Sequence, residues 1–210
     1  MNKKEYSNEK LVIFDMIGTL TTNPHLISQI LHLMMPNISI NLLRREYWDY
    51  RVSRIDRDTF WKNIGIPNSE SFEEKFLNNI HFKKGVLEMA RAMKGKYKLA
   101  ILSNIPKEWG AFLIKEYSLD SIFDEIVFSG DYKMKKPKVG LYKVLINKFP
   151  DISSNNMYFV DDDLEDLETG GRLGMNTIWL KSGQISDSYV PNYVIEDISE
   201  IESLITKECV

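Results

Sequence analysis

A chain of 210 residues with 43% hydrophobic content can bury the core of one α/β domain and still carry an insertion. Its formal net charge of -3, with no Lys/Arg cluster interleaved with aromatics, argues against nucleic acid as a partner. Cys209 is the sole cysteine, so disulfides within the chain and cysteine-built zinc sites are excluded and a reduced compartment fits. The opening MNKKEYSNEK has no apolar run behind it for a signal peptide, and no stretch approaches a membrane span. A soluble cytoplasmic protein, monomer or homodimer, is the expectation.

Leu11, Val12, Ile13 and Phe14 form an unbroken apolar run, the pattern of a strand buried on both faces of a parallel sheet. Asp15 follows at its carboxyl edge, where open α/β sheets place their ligands, and then come Gly18 for a sharp turn and Thr19 with a hydroxyl donor. A plain strand end with Asp15 capping something local reads equally well from these residues alone.

From Thr21 to about Lys84 helical spacing takes over. Leu26, Ile30, Leu33 and Met34 predict one helix, and Leu43, Tyr47, Tyr50 and Arg51 a second. Asp56 before Phe60 and Trp61 predicts a capped third, and Ser69 before Phe72, Phe76 and Leu77 a fourth. From Gly85 onward helix and strand alternate as in a doubly wound sheet. The expected order is helix Val86 to Lys94, strand Tyr97 to Leu102, helix Glu108 to Tyr117 and strand Glu125 to Phe128. It continues with helix Val139 to Phe149, strand Met157 to Val160, helix Leu164 to Leu173 and strand Asn176 to Leu180. A short strand, Tyr193 to Ile195, and a helix, Ile198 to Thr206, close the chain. Residues 1-20 and 85-210 are therefore expected to form an α/β core, with 21-84 inserted as a helical unit.

Three more strand ends carry polar residues. Ser103 and Asn104 follow one strand, either at a ligand or as a helix cap before Pro106. Asp161, Asp162 and Asp163, then Asp166, follow another, and adjacent carboxylates repel one another unless a cation sits among them. Lys133, Lys135 and Lys136 precede Pro137, either as a surface charge run or with Lys136 pushed outward at an element boundary.

In this order LVIFDMIGTL, LAILSN, KKPKVGLY and YFVDDDLEDLETGGRLGM resemble the four motifs of the haloacid dehalogenase superfamily of phosphatases and related hydrolases, from Leu11 to the C-terminus. The resemblance implies a Rossmann-like core, a helical cap at 21-84, and Asp15 as a nucleophile that forms an aspartyl phosphate. It implies that Ser103 and Lys136 hold phosphoryl oxygens, with Thr19, Asn104 and Arg51 at the substrate. It also implies magnesium on Asp15, Asp162 and the carbonyl of Ile17, with Asp166 steadying its waters and Asp161 or Asp163 nearby. The substrate implied is a small phosphorylated metabolite.

The sequence departs from that pattern at Ile17, where phosphatases of the superfamily have a second aspartate as general acid, a loss of roughly 10²- to 10⁴-fold in rate. Dehalogenase chemistry, phosphonate hydrolysis with Lys62 or Lys75 as a Schiff base, and a degenerate phosphate- and metal-binding protein stand as alternatives. Arg44, Arg45, Arg51 and Arg54 lie near Tyr47, Trp48 and Tyr50 in a stretch resembling the caps of sugar-phosphate phosphatases. Such arginines meet a substrate anion or pair with Asp49, Asp56 or Asp58 on a solvated face. Trp48 and Trp61 are expected in the core of the insertion, and His25, His32 and His81 away from the chemistry.

Overall fold

The computed structural model describes residues 6-67, 69-181 and 189-207, so Cys209 and residues 1-5 lie outside the described residues. Six parallel strands form one sheet: β1 (Leu11–Phe14), β2 (Lys98–Ser103), β3 (Glu125–Phe128), β4 (Met157–Asp161), β5 (Asn176–Leu180) and β6 (Tyr193–Ile195). Their order is β3-β2-β1-β4-β5-β6, so the winding reverses between β1 and β4. A crevice opens outside the carboxyl ends at such a reversal. Strands β2 and β4 run one residue past their apolar segments, because Ser103 and Asp161 still pair in the ladder.

Alternation along β1 sends its side chains to two separate cores. Val12 and Phe14 face α5 (Val86–Met93) and α6 (Lys107–Tyr117) together with the inserted helices, through Ala90 and Trp109 among others. Leu11 and Ile13 face α8 (Val139–Lys148) and α9 (Leu164–Arg172) through Leu145 and Leu167. The chain closes with a turn of 3-10 helix, capped reciprocally by Asp197 and Glu200, and α10 (Ile201–Lys207). A short helix, α7 (Ser129–Tyr132), has no counterpart in the sequence expectation, since one turn carries too little periodicity to register.

The insertion differs from expectation at two points. Its first helix is a π-helical turn, Ile27–Leu31, running into α1 (His32–Met34). The wider turn shifts the phase: Leu26, Ile27, Ile30 and Leu31 are buried while Leu33, expected on the apolar face, is 72% exposed. The next helices are α2 (Ile40–Tyr50), α3 (Arg57–Asn63) and α4 (Glu70–Leu77). Asp56 caps α3 by accepting from the Thr59 amide at 2.8 Å, as its spacing predicts. Ser69 begins α4 without a side-chain cap, since its backbone is already helical.

Trp109 of α6 fixes these helices to the sheet. Its indole is fully buried among Tyr47, Tyr50, Phe60 and Phe76, with ring centroids 4.6 to 5.8 Å away. Its Nε1 donates to Glu73 Oε1 at 2.7 Å, and Trp61 Nε1 donates to the same oxygen at 2.9 Å. Among the described residues no helix is long and apolar enough to cross a membrane.

Candidate active site

Register brings the polar strand ends together. Phe14 pairs with Ile101 and Val160, so Asp15 comes level with Leu102 and Asp161, and Ser103 lies one residue further along β2. Asp15 Oδ1 accepts from Ser103 Oγ at 2.9 Å and from Lys136 Nζ at 2.8 Å. Asp15 Oδ2 is buried and has no hydrogen-bond partner among the described residues. A buried carboxylate oxygen left so is costly unless a ligand meets it.

Lys136 is the electrostatic centre. Besides Asp15, its ammonium reaches Asp161 Oδ2 at 2.5 Å and Asp166 Oδ2 at 3.0 Å, and it is only 2% exposed. Burial disfavours its charge, yet Asp15, Asp161 and Asp166 together outweigh that and hold it well above the ordinary lysine range. Burial likewise pushes Asp162 and Asp166 up to about 6 and Asp161 well above the usual carboxylate range. One lysine does not balance this much buried negative charge.

Backbone geometry supports the cluster from behind. Gly18 has φ +97, and a Cβ there would lie 2.7 Å from Asp162 Oδ2, so the turn after β1 needs glycine on both counts. Lys83 Nζ donates to the Gly18 carbonyl at 2.8 Å, a contact across 65 positions that no local pattern announces. Thr19 is fully buried, stands behind the cavity rather than on its wall, and donates to Asp162 Oδ1 at 3.1 Å. Asn104 spends its amide on Lys136: its Oδ1 accepts from the Lys136 backbone amide at 2.8 Å and its Nδ2 donates to the Lys136 carbonyl at 3.1 Å.

A cavity of about 410 Å³ covers the cluster. Asp15, Ile17, Ser103, Asn104, Lys136 and Asp161 to Asp163 with Asp166 line one side, and the insertion supplies His25, Arg44, Tyr47, Trp48 and Arg51. Arg51 lies over Trp48, its Cζ 3.6 Å from the ring centroid, and its Nε is buried without a partner among the described residues. Burial first, against the pull of Tyr47 and Asp166, lowers its pKa. The solvated-face expectation holds for Arg54 with Asp49 at 2.9 Å; exposed Arg45 pairs instead with buried Glu46 at 2.8 Å, and exposed Arg44 and half-buried Arg51 line the cavity. Trp61 is core as expected, whereas Trp48 is 46% exposed and lines the cavity with His25. Lys62 and Lys75 are exposed and off the cavity wall, so neither supplies the Schiff-base lysine of a phosphonate hydrolase.

One carboxylate oxygen each from Asp15, Asp161 and Asp162 lies within 4.8 Å of the others. With the unsatisfied Asp15 Oδ2 this all-oxygen, anionic set fits a hard divalent cation such as magnesium. Asp166, expected beside the ion, lies at the same cluster with its Oδ2 3.0 Å from Lys136 Nζ.

A doubly wound α/β protein with a serine, a lysine and a carboxylate cluster at its switch point is the class that fold and site define. The family model of haloacid dehalogenase-like hydrolases matches residues 12–180, and the chain belongs to that family. Glyceraldehyde 3-phosphate phosphatase of Pyrococcus abyssi is 25% identical over 143 residues, 66% of this chain and 58% of the archaeal enzyme. This chain thus spans little more than half the length of that relative. Human N-acylneuraminate-9-phosphatase is 21% identical over 174 residues, covering 80% and 70% of the two chains. Among solved structures, a HAD phosphatase from Thermococcus onnurineus superposes with TM-score 0.69 at 20% identity, over 93% of this chain and 97% of that one. A 2-haloacid dehalogenase from Pseudomonas syringae gives 0.70 at 16%, over 95% and 99%. A HAD family enzyme from Bacteroides thetaiotaomicron, solved with magnesium and inorganic phosphate, gives 0.69 at 17%, over 86% and 98%.

Proposed function

We propose that this protein hydrolyses a small phosphate monoester in the cytoplasm with magnesium, through Asp15, and that residues 21-84 serve as the cap over the site. The environment of Asp15 carries this reading: one oxygen is held by Ser103 and Lys136, and the other is buried and free. Two relatives named for phosphatases of a triose phosphate and a sugar-acid phosphate support a phosphorylated metabolite as substrate.

Attack by an Asp15 oxygen forms the bond to phosphorus as the ester oxygen departs with its electron pair and takes up a proton from solvent water. Water then cleaves the aspartyl phosphate, returning Asp15 and inorganic phosphate. Ser103 and Lys136 hold the transferring oxygens, and Asn104 keeps Lys136 in place. Asp15, Asp162 and the Ile17 carbonyl would hold magnesium, with Asp161 and Asp166 beside them, and the ion would neutralise phosphoryl charge. Ile17 supplies no proton to the leaving oxygen, so turnover is slow.

Phosphate release is measured from a panel of triose, hexose and sugar-acid phosphates with magnesium and with chelator. Magnesium-dependent release, lost in Asp15→Asn, is expected. The same missing acid favours a second reading, haloacid dehalogenation, because a departing halide needs no proton. Halide release from 2-chloropropionate in chelator, with no phosphate from the panel, would establish that reading in place of the first. Uptake of metal and phosphate without either product would mark a degenerate binding protein.

A further inference from the structure

A second cavity, of about 310 Å³, opens beside the first and shares one residue with it, Trp48. Its wall holds Arg54, Lys133, Lys135 and Lys138 together with apolar Val52 and Met134, and no carboxylate. Arg54 has Asp49 at 2.9 Å, but among the described residues Lys133, Lys135 and Lys138 form no ion pair. Burial, then the like charges of Arg51, Lys138 and Arg54, hold Lys135 below the ordinary lysine range against the opposing pull of Glu165. Lys133 sits at φ 54, a left-handed conformation rare outside glycine, where it ends α7 and turns the chain along this wall. On a chain with a net charge of -3, this is a local concentration of positive charge around an aromatic surface.

Trp48 lines both cavities. Lys135 Nζ lies 4.0 Å from the indole centroid and Arg51 Cζ 3.6 Å, so the two cations cannot be farther apart than those distances together. Arg44 and Arg51 line the first cavity without an acidic partner at salt-bridge distance among the described residues, and Lys135 and Lys138 line the second. Arg51 and Lys135, both half-buried over one indole, repel one another until an anion joins them, while Arg44 and Lys138 add exposed positive charge on either side.

We propose that the second cavity is an anion site, taking a phosphate or carboxylate carried on the leaving group of the substrate whose phosphoryl group lies at Asp15. This deepens the phosphatase reading and rests on it: the substrate then bears two anionic groups, one on each side of Trp48. The shared indole and the closeness of Arg51 to Lys135 favour one ligand spanning both cavities over a free anion bound apart from the substrate.

Titration calorimetry in magnesium-free buffer compares fructose 1,6-bisphosphate with fructose 6-phosphate, on wild type and on the double variant Lys133→Ala/Lys138→Ala, with thermal melting to establish that the variant is folded. The bisphosphate is expected to bind at least about tenfold tighter than the monophosphate to wild type, and to lose that advantage in the double variant. The charge reversal Lys138→Glu should remove it as well. Equal affinity for the two sugars, an advantage that survives the variants, or failure of the bisphosphate to bind would overturn the proposal. Sulfate that weakens both sugars alike would assign the cavity to free anions and overturn the link to the leaving group. Phosphate release is followed separately with magnesium. If neither sugar is hydrolysed while the binding advantage is present in wild type and lost in the variants, the anion site stands and the phosphatase reading falls.

Discussion

Asp15 works through asymmetry between its two oxygens. Oδ1 is fixed by Ser103 and Lys136, and Oδ2 is buried without a partner among the described residues, so on the proposed mechanism the residue is both held and available. Ile17 stands in the same cavity with nothing to donate. On the proposed mechanism Ile17→Asp restores an acid near the leaving oxygen, and phosphate release should rise by roughly 10²- to 10⁴-fold, read as kcat on the preferred monoester. No increase would mean that another group already protonates the leaving oxygen. Thr19 acts one step back: Thr19→Val removes the hydroxyl that donates to Asp162 Oδ1. Magnesium affinity, read by titration, should weaken about tenfold while the fold persists. Neither role follows from composition, since threonine after a glycine turn is equally at home as an ordinary turn residue.

At the scale of elements, one buried carboxylate ties two of the inserted helices to the core. Glu73 on α4 accepts from Trp109 on α6 and Trp61 on α3, while its other oxygen takes Arg57 Nε at 2.5 Å. Glu73→Ala leaves two indole donors unpaired in an apolar cluster, and stability should fall by about 2 to 5 kcal/mol in a denaturant melt. Arg54→Ala breaks an ion pair whose side chains are 71% and 40% exposed, and should cost about 0.5 kcal/mol or less in the same melt. The contrast tests whether burial, not charge, fixes the insertion. Close approach sets a second limit at α6, where a Cβ on Gly110 would lie 2.4 Å from Phe128 Cδ2. Gly110→Ala should lower stability by about 1 to 3 kcal/mol, because ring and helix must part.

For the molecule as a whole, the sheet gathers negative charge at one edge, and that edge should be the place where a ligand stabilises the fold. If Asp15 and Asp162 hold magnesium, the ion at a hundredfold excess over its Kd adds about 2.7 kcal/mol to unfolding, seen as a rise in Tm. Asp162→Asn should abolish that rise, and an identical shift in the variant would place the ion elsewhere. The strands, the alternation of helix and strand, and the polar residues at strand ends were legible in the sequence, because they rest on neighbours a few positions apart. So was the chemistry available to them, since residue types alone decide which atoms can donate, accept or carry charge. The rest depends on distant pairs. Lys136 meets Asp15 across 121 positions and Tyr50 meets Glu108 across 58, and no local period carries such contacts. Only the folded chain decided that Asp15, Asp161 and Asp166 all reach Lys136, that Arg51 enters the cavity while Arg54 faces Asp49, and that Trp48 lines both cavities. Which way each of these similar side chains turns is set by strand register and helix phase, quantities fixed by packing between segments far apart in the chain.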